Sequence, residues 1–513
     1  MKQSINASGV NHDIAPAELP PDVWNDLQNV TFNNGYAQSV PGYAPVMAGA
    51  LCRPLYALPL YTETTFYWIY TGNNDGETAG VIAVTDGQTH WDITPAAWSV
   101  MAAGDITGGV LNGIPFLNNG IDPPVWWDVV TANVCTILPG WPVGQLCKAL
   151  RPFKYHLIAM NIESAGGTFP ELVVWSSAAN PGAIPDSWTP DPANEAGSFT
   201  ISATTGGIVD GGQMRDQFMV YKTHSSAIMQ YIAGQFIFSN RKAFVTSGIL
   251  ARNCWQEMYG QHYVITDGDF IQHNGQEVKS LIDGSNREWF FSQIDPTNYK
   301  GSYLAASHDH KQLWLCIPKT GNTFANLALV FDIKSGSFGD SDLNNAAFIA
   351  RGIIPGDGAA RIWDTAAGSW DEQTTRWNQQ LFNPTTDAQL ICDYENTKFH
   401  VQEGFTYDGA PIPILLQMLS KDFGEPQRRK LILAVWVLSN AIQAPGSGGV
   451  AVRIGTQELI ADPIKWSAAT PIVNGKADFM ESGRYISLEI TANQLNAWRL
   501  NSLDADYNLQ GAW

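Results

Sequence analysis

A few short groups of residues have the types and spacing that could do chemistry. His308-Asp309-His310 sets two imidazoles two residues apart, which on a strand puts both on one face within reach of one metal ion. No third or fourth ligand follows at a useful spacing, and a loop or strand edge facing solvent or another subunit accounts for the group more simply. Asp267-Gly268-Asp269 and Asp283-Gly284 put carboxylate oxygens at tight turns, a composition that can hold calcium. Both lack the further ligands and closing Glu of an EF-hand loop, and hairpin turns explain them. No metal or other cofactor is expected. Arg428-Arg429-Lys430 is the strong cationic run, placed before the apolar stretch 431–438. It reads either as the solvated start of a buried strand or as an ion-pairing patch for an acidic neighbouring subunit.

Carboxylate catalysis has ample raw material, with 48 acidic residues and 19 Trp, and β-propellers host glycosidases and lyases that use carboxylate pairs with aromatic platforms. No pair is singled out by its surroundings. Gly-x-Ser-x-Gly, P-loop and HExxH motifs are absent, so the expectation is a protein without enzymatic activity, its Trp residues serving packing. The six cysteines, at 52, 135, 147, 254, 316 and 392, form no CxxC pair and read as buried free thiols. A net charge of -19 argues against a nucleic-acid binder, which clusters Lys and Arg on phosphates. Such a surface serves solubility, or meets DNA as a wall along which the polyanion passes without sticking.

The elements that must carry these residues are strands. Across 513 residues the charged fraction is only 15%, while 47 Gly and 29 Pro suit short strands and many turns. From about 54 to 365 the chain returns six times to an apolar strand, a turn and a second apolar strand. The first three copies are Gly80-Val81-Ile82-Ala83-Val84 into His90-Trp91-Asp92-Ile93, Ile114-Pro115-Phe116-Leu117 into Val125-Trp126-Trp127, and 155–160 into Leu172-Val173-Val174-Trp175. The others run Phe218-Met219-Val220-Tyr221 into Ile228-Met229-Gln230-Tyr231, His262-Tyr263-Val264-Ile265 into Phe270-Ile271-Gln272-His273, and 327–332 into Ser337-Phe338. A spacing of roughly 50 residues fits one four-stranded blade each. The expected fold is all-β: a β-propeller of about six blades over 54–365, with a C-terminal, mostly-β, sandwich-like domain over 366–513. Strands there are expected at 413–416, 430–438, 450–454 and 484–490, with 446–449 as a flexible loop. Short helices are expected at 21–28 under an Asp22 cap and at 491–498 under a Thr491 cap, and long loops at 180–195 and 337–345. Residues 1–10 show no secretory pattern, and 431–438 is too short to span a membrane.

Residues 1–53 form an extended segment with a hairpin, expected to pack on the platform or the propeller. Within it, Pro-rich 13–24 leads into Asn29-Val30-Thr31-Phe32, the turn Asn33-Asn34-Gly35, a strand over 36–40 and the closing Pro41-Gly42. That order, with Trp24, resembles the N-terminus of the tail nozzle, or tail tubular stabilisation, proteins of short-tailed bacteriophages. Arg151-Pro152-Phe153-Lys154, Val174-Trp175-Ser176 and Ile184-Pro185-Asp186-Ser187-Trp188 are similar to that family's central stretch. Gly483-Arg484-Tyr485, Trp498-Arg499-Leu500 and Tyr507-Asn508-Leu509-Gln510-Gly511 are similar to its end. The resemblance implies a structural virion protein in the tail, assembled in the host cytoplasm as a ring, a hexamer, below the portal and its adaptor. Its partners would be the portal-tail adaptor, tail fibres or tailspikes, and double-stranded DNA passing through the lumen. A tail-associated propeller that binds or cleaves glycans is the competing expectation, and a non-viral interaction scaffold the third.

Overall fold

The structure is a computed structural model that describes all residues except 6–7, 34, 63–64, 192–193, 233–236, 355–386, 440–449, 495–497 and 513. Six antiparallel four-stranded meanders follow one another at 53–92, 107–137, 146–200, 208–244, 255–280 and 303–353. These are blades 1 to 6 of a β-propeller, and each of the six hairpins expected from sequence lies within one of them. The described residues of the expected loop at 180–195 are irregular, but 338–345 of the other falls in the long strand Phe338–Ile353.

That strand serves two blades. Its first half closes blade 6 by pairing with Ala325–Asp332; a register shift near Ala346 then passes its second half to Asp387–Asp393. Asp387–Asp393 pairs with Lys398–Val401, which pairs with Ala44–Val46 from the N-terminal segment. This seventh four-stranded sheet fills the gap between blades 6 and 1. Tyr303 and Tyr56 pack on either side of its Phe348, with ring centroids 5.3 and 4.6 Å away, and Trp68 Nε1 donates to Ile353 O at 3.0 Å. The propeller therefore has seven blades, and the last crosses both expected boundaries, at 53/54 and at 365/366. Three distant pieces of chain build it, so no local repeat announces it.

The remaining strands form a two-layer β-sandwich. One layer contains Val30–Asn33, Tyr36–Ser39, Arg499–Ala512, Arg428–Ser439 and Lys476–Gly483, with Lys2–Ile5 paired on Arg499–Ala512. The other contains Asp26–Gln28, Ala410–Lys421, Tyr485–Gln494 and Ala451–Gln457. Alternate residues such as Ile412, Ile414 and Leu416 meet Ile432, Val435 and Leu503 in a shared core. The four strands expected in this domain are present. The stretch 431–438 is a strand, but only one face is buried: Trp436 and Leu438 stand exposed. The loop 446–449 lies outside the described residues.

The first expected helix is replaced by strands, and so is the described start of the second, 491–494, while 495–497 lie outside the described residues. Val23–Trp24 pairs in parallel with Gly9–Val10, and Asp26–Gln28 pairs with 415–417, so the backbone groups that Asp22 would have capped find partners up to nearly four hundred residues away. Thr491 lies in Tyr485–Gln494, paired on both sides, to Leu415 and Ala451. A helix that the sequence did not announce, Arg287–Gln293, has its cap supplied from elsewhere. Asp13 accepts from Glu288 N and Trp289 N at 2.9 Å, and His12 stacks on Trp289.

The 30–39 hairpin joins the two domains. Val30 bridges to Asp340 of blade 6, and Ala37 and Gln38 pair with Leu500 and Arg499 of the sandwich. Asp340 is buried there beside Asp342 and Asp26, its Oδ1 without a partner, and burial with those two charges pushes its carboxyl well above the usual range. A carboxyl raised on folding contributes most below its unfolded value and loses stability as pH rises. Asp340→Asn is therefore expected to be more stable than the native chain near pH 7, by roughly 1–3 kcal/mol. The difference should vanish below about pH 4. Urea unfolding at the two pH values checks both statements, and a destabilised Asn variant at pH 7 would contradict them.

Candidate functional site

In a propeller the first strands of all blades converge on the axis, so whatever lines the axis is the natural candidate site. A funnel of about 540 Å3 opens there, lined among others by Tyr56 and Tyr61 of blade 1, Glu257 of blade 5, His308 of blade 6, and Phe348 and Gln389 of blade 7. Beside Tyr56, one of its lining residues, lies a buried ion pair. Arg151, from the inner strand of blade 3, gives Nε to Asp210 Oδ1 at 2.9 Å and Nη2 to Asp210 Oδ2 at 2.7 Å. Its other bonds reach Gly108 O of blade 2 at 3.3 Å and Asn253 Oδ1, ahead of blade 5, at 2.7 Å, and the Tyr56 hydroxyl lies beside it. Asp210, on the inner strand of blade 4, also accepts from Gly211 N, Asn253 N and Trp255 Nε1 at 2.8–3.0 Å. One ion pair thus ties together five blades.

Burial works against the Asp210 carboxylate, but the guanidinium and the backbone N–H groups of Asn253 and Gly211 outweigh it and hold it below the ordinary carboxylate range. Gly212 makes room for the arrangement: a Cβ there would lie 2.1 Å from the Trp255 ring, whose Nε1 reaches Asp210 across the seam. Every lone pair that points to the axis here is engaged, which makes the pair a staple and not a reagent. Arg151 belongs to the stretch Arg151-Pro152-Phe153-Lys154 that carried the family resemblance. Asp210 was not signalled by the sequence, because its partners come from 59 and 43 positions away.

The other residues singled out in the sequence do not gather here, apart from His308 at the mouth of the funnel. His308-Asp309-His310 forms the turn between Tyr303–Ser307 and Gln312–Ile317, not part of a strand. Asp267 ion-pairs with His224 at 2.8 Å, Asp269 accepts from Ser280, and Asp283 faces Arg287, which are turn and surface roles. Among the described residues no group of three or more His, Cys, Asp or Glu is placed to hold a metal ion. All six cysteines are buried and free. Within the cationic run, Arg429 pairs with Glu458 at 2.5 Å. Lys430 is fully buried, donating to the carbonyls of Glu425 and Arg484, so two of its three charges are used inside the chain.

One sequence feature gains meaning only on this frame. Residues 54–147 contain no Lys or Arg but eight carboxylates, and with Arg53 they make up blades 1 and 2. Arg53 is engaged by Glu77 at 2.8 Å, and Asp75, Asp92 and Asp128 stand exposed on that side.

No family model matches the chain, and no curated protein matches it. Among solved structures it is similar to a glycoside hydrolase, at 10% identity over 89% of this chain and 99% of that one, with a TM-score of 0.25. A protein from Lactobacillus plantarum is 11% identical over 61% of this chain and 93% of its own, with a TM-score of 0.37. The WD40 domain of Neurospora crassa Pan2 is 10% identical over 56% and 85%, with a TM-score of 0.31.

Proposed function

We propose that this chain is a structural virion protein, a nozzle subunit of a short-tailed bacteriophage that assembles as a ring, a hexamer, below the portal and its adaptor. The observation that carries the reading is where the resembling residues sit: Asn29 joins the two domains, and the others knit the sandwich or the propeller axis together. Asn29 bonds to blade 6 and the sandwich at once, Ser39 N donates to Trp498 O, and the Arg499 guanidinium lies 3.4 Å over the Tyr36 ring. Gly483 and Tyr507 pair with the strand Arg428–Ser439, and Arg151 staples the propeller axis. Residues chosen to hold two domains in a fixed relation suit a ring subunit that bears load, with no catalysis and no cofactor. The partners in this reading are further copies of the chain, the portal-tail adaptor, tail fibres or tailspikes, and double-stranded DNA.

Because Arg151 and Tyr56 close the axis of each propeller, the duplex runs through the opening between subunits. We assign the side poorest in basic residues, blades 1 and 2, to the wall it passes. Like charge keeps a moving polyanion from adhering. Asp75→Lys/Asp92→Lys is expected to assemble normally and to slow genome release, and the slowing should shrink as salt rises. Release at an unchanged rate from normal particles would remove blades 1 and 2 from the wall. The reading as a whole is tested by mass and stoichiometry: the protein should be present at a fixed copy number per particle and form rings when purified. A monomer that degrades polysaccharide would favour the glycan-cleaving alternative instead.

A further inference from the structure

Tyr221, on the second strand of blade 4, meets two histidines of blade 5 in a fully buried contact. Its hydroxyl lies 2.7 Å from His262 Nδ1 and 2.7 Å from His273 Nε2. The proton positions follow from the partners. His262 Nε2 is 2.8 Å from Gln213 O, and a carbonyl only accepts, so that nitrogen carries hydrogen and Nδ1 accepts the tyrosine proton. The tyrosine oxygen then accepts from His273 Nε2–H. His273 Nδ1 is left as a bare, buried acceptor with no partner. Trp255 stacks on His262 and Phe244 packs on His273, so the relay is enclosed by rings from both blades.

We propose that this relay is a proton-operated latch on the seam between blades 4 and 5, which opens locally as pH falls while the other seams stay closed. The two bonds to Tyr221 are made with both rings neutral, and an added proton on His273 Nδ1 would point into a site without an acceptor. The ionisable groups on the strands around it are Asp210, Arg215, Asp216, Lys222, Arg241 and Lys242 of blade 4, and Glu257, Asp269 and Lys279 of blade 5, with Lys222 held by Glu171. Of these only the Asp210 carboxylate acts on the relay, at Tyr221, and Arg151 holds it. Burial lowers His262 to about 4, and burial with the neighbouring ring lowers His273 to about 3. A base lowered on closure stabilises the closed seam above its free value and loses that contribution as pH falls. Between about 6.5 and about 4, each histidine shifts the opening equilibrium roughly tenfold per pH unit, and the two together roughly a hundredfold.

Native methionines report three of the seams. Met214 and Met219 face the seam between blades 4 and 5, Met160 and Met229 that between blades 3 and 4, and Met258 lies on the blade 6 side of its strand. Hydrogen peroxide transfers one oxygen to the thioether and leaves as water, with no titrating group on methionine, so the pH dependence of oxidation reports opening. The seam between blades 3 and 4 holds one lowered histidine, His156. Peptide mass spectrometry across pH 7 to 4.5 should therefore show Met214 and Met219 accelerating about a hundredfold per unit, Met160 and Met229 at most tenfold, and Met258 hardly at all. In His262→Gln/His273→Gln the steep response should disappear; if that variant does not fold, His273→Gln alone should leave a tenfold response. All five methionines accelerating together, or a steep response surviving in the variants, would overturn the latch.

Discussion

Asp210→Ala should lower the stability of the propeller by about 3–5 kcal/mol, the usual consequence of removing one partner from a buried ion pair. The substitution leaves the Arg151 guanidinium, beside Tyr56, without a counter-charge. It also strips acceptors from Gly211 N, Asn253 N and the Trp255 indole. Desolvated donors without acceptors cost more than the lost attraction itself. Removing both charges in Asp210→Ala/Arg151→Met should therefore be less damaging than the single change, since an apolar axis carries no stranded charge. Equilibrium unfolding in urea of the two variants checks the sign of the difference. A single variant within about 1 kcal/mol of the native protein would show that the axis is stapled by packing alone. The pair also sets a direction with pH. Asp210 is held below its unfolded range, so its contribution is present at neutral pH and fades as pH drops through that lowered value.

Why that staple was invisible in the sequence while the blades were not is a matter of range. Each of the six hairpins is local: two apolar strands around a turn such as Asp86-Gly87 or Asn118-Asn119-Gly120 define their own register. The seventh blade is not local. One of its strands is shared with blade 6, one comes from 44–46 and two from 387–401, so its strands have no common period. The same difference explains the two misread helices. Pro21-Asp22 and Thr491 carry helix-start chemistry, but strands distant in sequence satisfy those backbone groups first. It also explains the helix that went unnoticed, whose cap, Asp13, precedes it by 275 positions. Arg151 was flagged only because its neighbourhood resembles a family; His262 and His273 were seen as the edges of a hairpin, and nothing local ties them to Tyr221.

The largest effect expected outside the propeller is at Asn29. This residue has φ of 59° and no exposure, a left-handed conformation that Asn tolerates far better than Ala. Its side chain is divided between the two domains. Nδ2 donates to Pro413 O at 2.9 Å and Asp342 Oδ2 at 3.1 Å, while Oδ1 accepts from Asp342 N and the Tyr407 hydroxyl, both at 2.7 Å. Asn29→Ala strains the backbone, removes the side-chain partners of the Asp342 amide and the Pro413 carbonyl, and leaves the Tyr407 hydroxyl only the longer bond to Asp342 O at 3.4 Å, which together cost at least about 3 kcal/mol. Asn29→Gly separates the two contributions, because it removes the strain and keeps the lost bonds; it should recover about 1 kcal/mol of the loss. The damage should fall on the joint, so that the sandwich unfolds at lower denaturant than the propeller where the native chain unfolds in one step. If the chain works as the ring subunit proposed above, that variant should fail to assemble while the isolated chain keeps its propeller. Cooperative, single-step unfolding of Asn29→Ala at nearly native denaturant would mean that the domains are coupled elsewhere, through the long strand Phe338–Ile353 and the closing strand Ala44–Val46.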